Sequence, residues 1–269
     1  MAAHRSRFHG GVFAAASAFL LGALLLLFLA VPVILLVVFG GAGVGTALRD
    51  PDTIAALETT FVTATAATLV AAICGSPIAY VLARGTFPGR SIVAAIVDLP
   101  LLIPHPVAGI AILLLVSRNT AFGSGLLDLG LRVVGTPLGI VLAMLFVSAP
   151  LFVSAAREAF ARVDRHYEFV ARTLGDTQWA AFRRVTLPLA RRGLASAAIV
   201  TWARAISEFG AVVVLAYNPK VVSVLSYDRF TTGGLREALP IAATLVLVSV
   251  VPLVLLRALR YDRSNEAVS

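Results

Sequence analysis

Six long apolar runs, at about 17–39, 54–83, 92–116, 138–156, 194–217 and 239–259, alternate along the chain with shorter polar stretches. Each holds close to the 20 residues that a helix rising 1.5 Å per residue needs to cross a hydrocarbon layer about 30 Å thick. The pattern predicts an all-α membrane protein with six transmembrane helices. Its parts are a cytoplasmic N-terminal tail (1–16), a transmembrane domain (17–259) and a cytoplasmic C-terminal tail (260–269). The first run exceeds the 7–15 apolar residues of a secretory signal and no small-x-small site follows it, so a retained helix is expected. On the second run Thr59, Thr60, Thr63, Thr65 and Thr68 recur. Small hydroxyl residues let helices approach closely and bond back to their own backbone, so that face is expected to meet protein and not lipid.

Composition strengthens this reading. The 269 residues are 59% hydrophobic and 13% charged, with a mean hydropathy of +0.94, against about 45–50% apolar and about 25% charged in soluble domains. The length leaves no room for a large soluble domain beside six spans. The single cysteine, Cys74, lies in an apolar run without a His or Cys partner at metal spacing, so neither a disulfide nor a zinc site is expected.

Charge sets the orientation. With a cytoplasmic N-terminus, that side receives 15 arginines, eight of them from Arg157 to Arg192. Six Lys and Arg fall on the other side and Arg204 falls within a run. Positive residues favour the cytoplasmic side, so both termini are expected there. The net charge of +8 is then an orientation signal, and no fold or patch supports nucleic-acid binding.

The orientation leaves one long polar segment in the cytoplasm, between the fourth and fifth runs. Loops of some three dozen residues are uncommon unless functional. Within it EFVARTLGDTQWAAFRRVTLP (168–188) predicts two short helices, 166–174 and 177–184. Gly175 supplies a left-handed residue that ends the first, Asp176 is a fitting N-cap for the second, and Pro188 closes the unit. Phe169, Trp179 and Phe182 would anchor the hairpin, which on physical grounds alone could simply rest on anionic headgroups.

The spacing in this hairpin resembles the loop motif of the inner-membrane subunits of ATP-binding cassette importers. That motif runs Glu-Ala-Ala, three residues, Gly, nine residues, Ile-x-Leu-Pro. Here Ala171 is followed after three residues by Gly175 and after nine more by Val185, Thr186, Leu187 and Pro188. Phe169 stands where the glutamate is usual, Glu168 lies one position earlier, and Val170 replaces an alanine. The resemblance implies a type I importer fold with hairpin 166–188 as the coupling helix seated on a separate ATPase. Glu168, Phe169, Ala171, Gly175, Asp176, Val185, Leu187 and Pro188 are then the candidates for ATPase coupling. It also implies two copies of the chain, two ATPase subunits and an extracytoplasmic binding protein. The chain has no Gly-x-x-x-x-Gly-Lys-Ser/Thr loop and its only lysine is Lys220, so ATP is expected on the partner and no cofactor on this chain.

Two segments at mid-membrane depth carry the remaining chemistry. In LPLLIPHPVAGIAI, Pro100, Pro104 and Pro106 surround His105, with Gly109 beyond, so the third helix must bend or break. In TWARAISEFGAVV, Arg204 and Glu208 stand four residues apart on one helix face, close enough to pair, and Phe209 and Gly210 follow. Pro104, His105, Pro106, Arg204, Glu208, Phe209 and Gly210 are the translocation or gate candidates. A histidine satisfied within the bundle and a register-fixing ion pair are the plainer alternatives, and both stay open.

LLIPHPVAGI (101–110), SEFGA (207–211) and YDRFTTGGL (227–235) are similar to the oxyanion-importing branch of that family, most of all to molybdate and tungstate permeases, with sulfate or thiosulfate permeases next. Ser207 stands where Gly is more usual. No oxyanion-sensing domain is expected after the sixth run. A gradient-driven transporter would need more intramembrane carboxylates than Asp98 and Glu208, and a hydrolase would need a base beside Ser124.

Overall fold

The structure, a computed structural model, describes residues 5–266, with side-chain surroundings defined for 17–252 and for residue 254. The expected tails therefore run into helices at both ends, and residues 1–4 and 267–269 lie outside the described residues. Regular structure among those described is entirely helical.

Four of the six apolar runs are continuous helices: α1 (Arg5–Ala47), α2 (Pro51–Arg84), α6 (Pro137–Ala161) and α12 (Leu235–Glu266). Each contains a stretch long and apolar enough to cross a bilayer. The third run is split. α3 (Arg90–Asp98) passes into a 3-10 turn at Leu99–Leu101, the axis turns by 112°, and α4 (His105–Val116) begins. Proline explains the break: Pro104 has an extended backbone (φ −55°, ψ 133°) and no N–H, while Pro106 sits in the first turn of α4, where a missing N–H costs nothing.

The fifth run is split as well, which corrects the expectation of an unbroken span. α9 (Leu187–Ile206) stops at Ser207, and the six-residue α10 (Gly210–Leu215) follows after residues 207–209. With Arg191, Arg192 and Arg204 on it, α9 is less apolar than α1, α2 and α6. After α10 the chain turns back as α11 (Val222–Gly233) beside α12, and α5 (Ala121–Asp128) fills the connection before α6.

Small residues draw the central helices together. A Cβ on Gly75 of α2 would lie 3.0 Å from Phe152 of α6, and one on Gly193 of α9 would lie 2.5 Å from the Ala159 Cβ of α6. Around these crossings Ala64, Ala67, Ala143, Met144 and Val147 are buried in one cluster, with Ala79, Leu82, Phe152 and Phe160 in a second.

The threonine face of α2 behaves largely as expected. Thr60, Thr63 and Thr68 are buried and bond back to carbonyls one turn earlier, and Thr60 also accepts from the Val222 N–H of α11 at 2.9 Å. Thr65 is exposed, yet it accepts from the Trp202 indole at 3.1 Å. α1 meets α12 where Gly40 and Gly43 approach Leu239 and Pro240, while Phe19 to Phe39 lies mostly exposed, as a lipid-facing surface would.

Candidate functional site: a loop hairpin and a charge cluster at two helix breaks

The hairpin forms where the motif places it, with a different internal logic. Asp164 caps α7 (Arg165–Thr173) by accepting from the His166 N–H at 2.9 Å. At the far end Gly175 adopts φ +100°. Its N–H bonds to Arg172 O and that of Asp176 to Ala171 O, both at 3.1 Å, which is a Schellman ending.

Asp176 is therefore not the N-cap of the second helix. Thr177 takes that role for α8 (Gln178–Ala181), accepting from the Ala180 N–H at 3.2 Å, and Asp176 instead pairs with Arg184 at 2.6 Å. Nor does Pro188 close the unit. It stands at the start of α9, preceded by a π-turn at Phe182–Thr186, and the chain stays helical throughout. Pro188 cannot donate to Arg184 O and its ring crowds that carbonyl, so the backbone widens there by one residue.

Glu168 faces inward, with its side chain 15% exposed. Its carboxylate accepts from Tyr80 Oη at 3.2 Å and from Thr186 Oγ1. Arg84 Nε lies 3.4 Å away without hydrogen-bond geometry, so that contact is held by charge. Two more bonds clamp the same corner: Arg84 Nη2 to Val163 O at 2.7 Å and Arg165 Nη2 to Ala83 O at 3.2 Å.

Tyr80 adds ring contacts to Phe160 and Phe182, at centroid distances of 5.6 and 4.7 Å, and Phe182 stacks on Trp179 at 5.4 Å. Phe182 is thus an anchor as expected. Phe169 and Trp179 are not, since both are exposed, as are Tyr167, Val170 and Leu174. Ala171, Val185 and Leu187 are half-buried and Pro188 is exposed. Tyr80, Arg84 and Thr186 were not among the candidates, although Thr186 lies inside the motif; Tyr80 and Arg84 lack any periodic signal.

The third and fifth runs meet at their breaks, where α4 packs on α10. Arg204 Nη2 donates to Glu208 Oε2 at 2.7 Å and lies 3.0 and 2.8 Å from the two ring nitrogens of His105. His105 Nδ1 is 3.4 Å from Glu208 Oε2, and Glu208 Oε1 accepts from the Ala211 N–H at 2.9 Å. The break is held further by Ser223 Oγ donating to Glu208 O at 2.7 Å.

Glu208 is fully buried, while the Arg204 and His105 side chains are 22% and 45% exposed. Arg204 Nη1 also reaches Ser207 Oγ at 3.3 Å. Gly210 permits this assembly, because a Cβ there would lie 2.8 Å from His105 Cβ and 3.0 Å from Pro106 Cδ. Gly109 does the same one turn on, against Ala211 O at 2.8 Å. Phe209 is half-buried against Tyr227, with ring centroids 5.0 Å apart. Pro104, His105 and Pro106 border a groove of about 650 Å³ together with Arg204, Ser207, Phe209 and Gly210. All seven translocation candidates therefore collect where the two breaks meet.

Where α10 leads into α11, Asp228 accepts from Lys220 Nζ at 2.6 Å and from the Tyr217 hydroxyl. These two contacts, Lys220 first, hold its carboxyl below the usual range.

Comparison with known proteins decides what this architecture is. A family model described as the inner membrane component of binding-protein-dependent transport systems matches residues 75–262. The chain belongs to that family. It is a multi-pass transport subunit, and both the hairpin and the broken spans lie within the matched region. The chain is 44% identical over 240 residues to a molybdate/tungstate transport system permease protein of Thermococcus kodakarensis, a match covering 88% of this chain and 92% of the relative. It is 32% identical over 206 residues to a sulfate transport system permease protein of Escherichia coli, covering 75% of this chain and 74% of the relative. Among solved structures, a bacterial alginate ABC transporter in complex with an alginate pentasaccharide-bound periplasmic protein contains a chain of the same fold. Its TM-score is 0.71 at 20% identity, covering 92% of this chain and 93% of that one.

Proposed function

We propose that the chain is the permease of an ATP-driven importer of molybdate or tungstate. The observation that carries this reading is the 44% identity across 88% of the chain to a molybdate/tungstate permease, set against 32% to the sulfate permease. Two copies would form the translocation pathway, each with its termini in the cytoplasm. The exposed apolar residues of the hairpin, Tyr167, Phe169, Leu174 and Trp179, are offered to a separate ATPase, which supplies ATP binding and hydrolysis. An extracytoplasmic binding protein would deliver the anion to the opposite face.

The hairpin's mounting supports this use. A segment that must pass on a push has to be rigid, and this one is tied to α2 through Glu168, Arg84 and Arg165 and runs into α9 without a break in helicity. The cluster of His105, Arg204 and Glu208 would stand on the pathway at the broken spans. Reconstitution tests the reading. Proteoliposomes containing this chain with its ATPase and binding protein should take up labelled molybdate or tungstate in an ATP-dependent way that excess sulfate does not abolish. Uptake abolished by sulfate would make it a sulfate permease, and uptake without ATP would remove it from this mechanism.

A further inference from the structure

Beyond a passage that anions merely traverse, we propose that Arg204, Ser207 and His105 form a weak oxyanion-binding station in the permease itself, with Glu208 as a buried positioning residue. The proposal rests on the oxyanion-importer reading above.

The argument begins with Glu208. Its carboxylate is fully buried and both oxygens are engaged, one by the Ala211 N–H and one by Arg204. It cannot turn outward without stranding a buried amide, and no anion in the groove can reach it. Its effect is to fix the guanidinium by one nitrogen.

Arginine carries five N–H donors. Those of Nη2 serve Glu208 and His105, and one on Nη1 serves Ser207. That leaves Nε–H and the second Nη1–H without a partner among the described residues, on a side chain partly open to the groove. Ser207 is exposed beside them, and the His105 ring is the most open of the three.

The groove's remaining lining decides the ligand's sign. Its polar side chains are His105, Arg204 and Ser207, none of them a carboxylate, and its walls include Leu101, Leu102 and Phe209. Donors set between apolar walls favour a small ion that presents acceptors on every side. A tetrahedral oxyanion has that character, whereas a cation would meet Arg204 with no counter-charge in reach. Because Glu208 already offsets part of Arg204's charge, the station binds weakly, as a site on a conduction path must in order to release.

The test is equilibrium binding of labelled tungstate to the purified permease–ATPase complex without the binding protein. Saturable binding displaced by molybdate is expected. It should weaken about tenfold or more in Arg204→Gln, the scale of one lost charge-assisted hydrogen bond, and several-fold in Ser207→Ala. Ser207→Ala leaves the Arg204–Glu208 pair intact and should melt as wild type, so it decides the matter even if Arg204→Gln fails to assemble. An absence of saturable binding to the wild-type complex, or wild-type binding by Ser207→Ala together with any assembled Arg204→Gln, overturns the station. Should sulfate bind in place of tungstate with the same dependence on Ser207, the station stands and the molybdate/tungstate assignment falls.

Discussion

Glu168→Ala separates a residue that touches the ATPase from one that braces the hairpin. In the structure the carboxylate holds Tyr80 and Thr186 through their hydroxyls and Arg84 through its charge. The Arg84 side chain is only 10% exposed, so the truncation leaves a largely buried cation short of its counter-charge. Breaking a buried pair from one side costs about 3–5 kcal/mol. Arg84 keeps its 2.7 Å bond to Val163 O and Thr186 can turn to its own helix, which favours the lower end, about 3 kcal/mol. Glu168→Gln retains acceptors for both hydroxyls and loses only the charge, so about 1 kcal/mol is expected.

The assay is denaturant unfolding of the solubilised permease, run as a cycle with Arg84→Met, which removes the stranded cation. The double variant should recover about 1–2 kcal/mol relative to the sum of the singles. Full stability in Glu168→Ala combined with loss of ATPase co-purification would refute the reasoning and return Glu168 to the contact surface.

Other substitutions probe the remaining joints. Gly175→Val forces a branched side chain to φ +100°, a strain of about 1–3 kcal/mol in a short hairpin. ATPase co-purification should drop while membrane insertion stays normal, and full co-purification would contradict it. Alanine changes at Arg204 and Glu208 should be non-additive in thermal unfolding by about 1–3 kcal/mol, since either single change strands a partner; additive losses would deny the pair. Gly210→Ala places a Cβ within 2.8 Å of His105 Cβ and should destabilise by about 1–3 kcal/mol through forced separation of α4 from α10, whereas an unchanged melting curve would place that approach elsewhere.

The positions of α1, α2, α6 and α12 were readable because span length is a property of composition. Where the prolines would interrupt the third run was readable too, since Pro104 lacks a donor whatever surrounds it. The Arg204–Glu208 pair followed from helical spacing. The interruption of the fifth run was harder to see: neither Ser207 nor Phe209 is a helix breaker, and the break exists because Glu208 bonds forward to Ala211 and across to Ser223. Those are tertiary choices. Glu168 teaches the same lesson, for the motif fixed its place in the loop, whereas its direction depends on Tyr80 and Arg84, more than eighty residues away in sequence. Asp176 does not cap α8 because the Schellman ending of α7 takes up one more residue than a simple left-handed stop.

α9 joins the two halves of the site. Its 20 residues make a rod about 30 Å long, with Thr186 and the hairpin at its base and Arg204 in its last turn. Glu208 lies in the break itself, where its N–H still bonds to Ala205 O in the last turn of α9 at 3.0 Å while its other contacts fasten it to α10 and α11. A tilt of α9 by about 5° about its middle would therefore displace its ends by about 1.3 Å relative to those elements. Such a shift has to be taken up across residues 207–209, where the 2.7 Å bond from Arg204 to Glu208 lies. Motion at the hairpin is then read as a change in the donors that Arg204 presents. Thr186→Val tests the transmission, because it cuts the hydroxyl that ties α9's base to Glu168 while keeping the shape of a fully buried side chain. The complex should still assemble and hydrolyse ATP, with the amount of anion taken up per ATP reduced several-fold. A wild-type ratio would show that the hairpin drives α9 by another route.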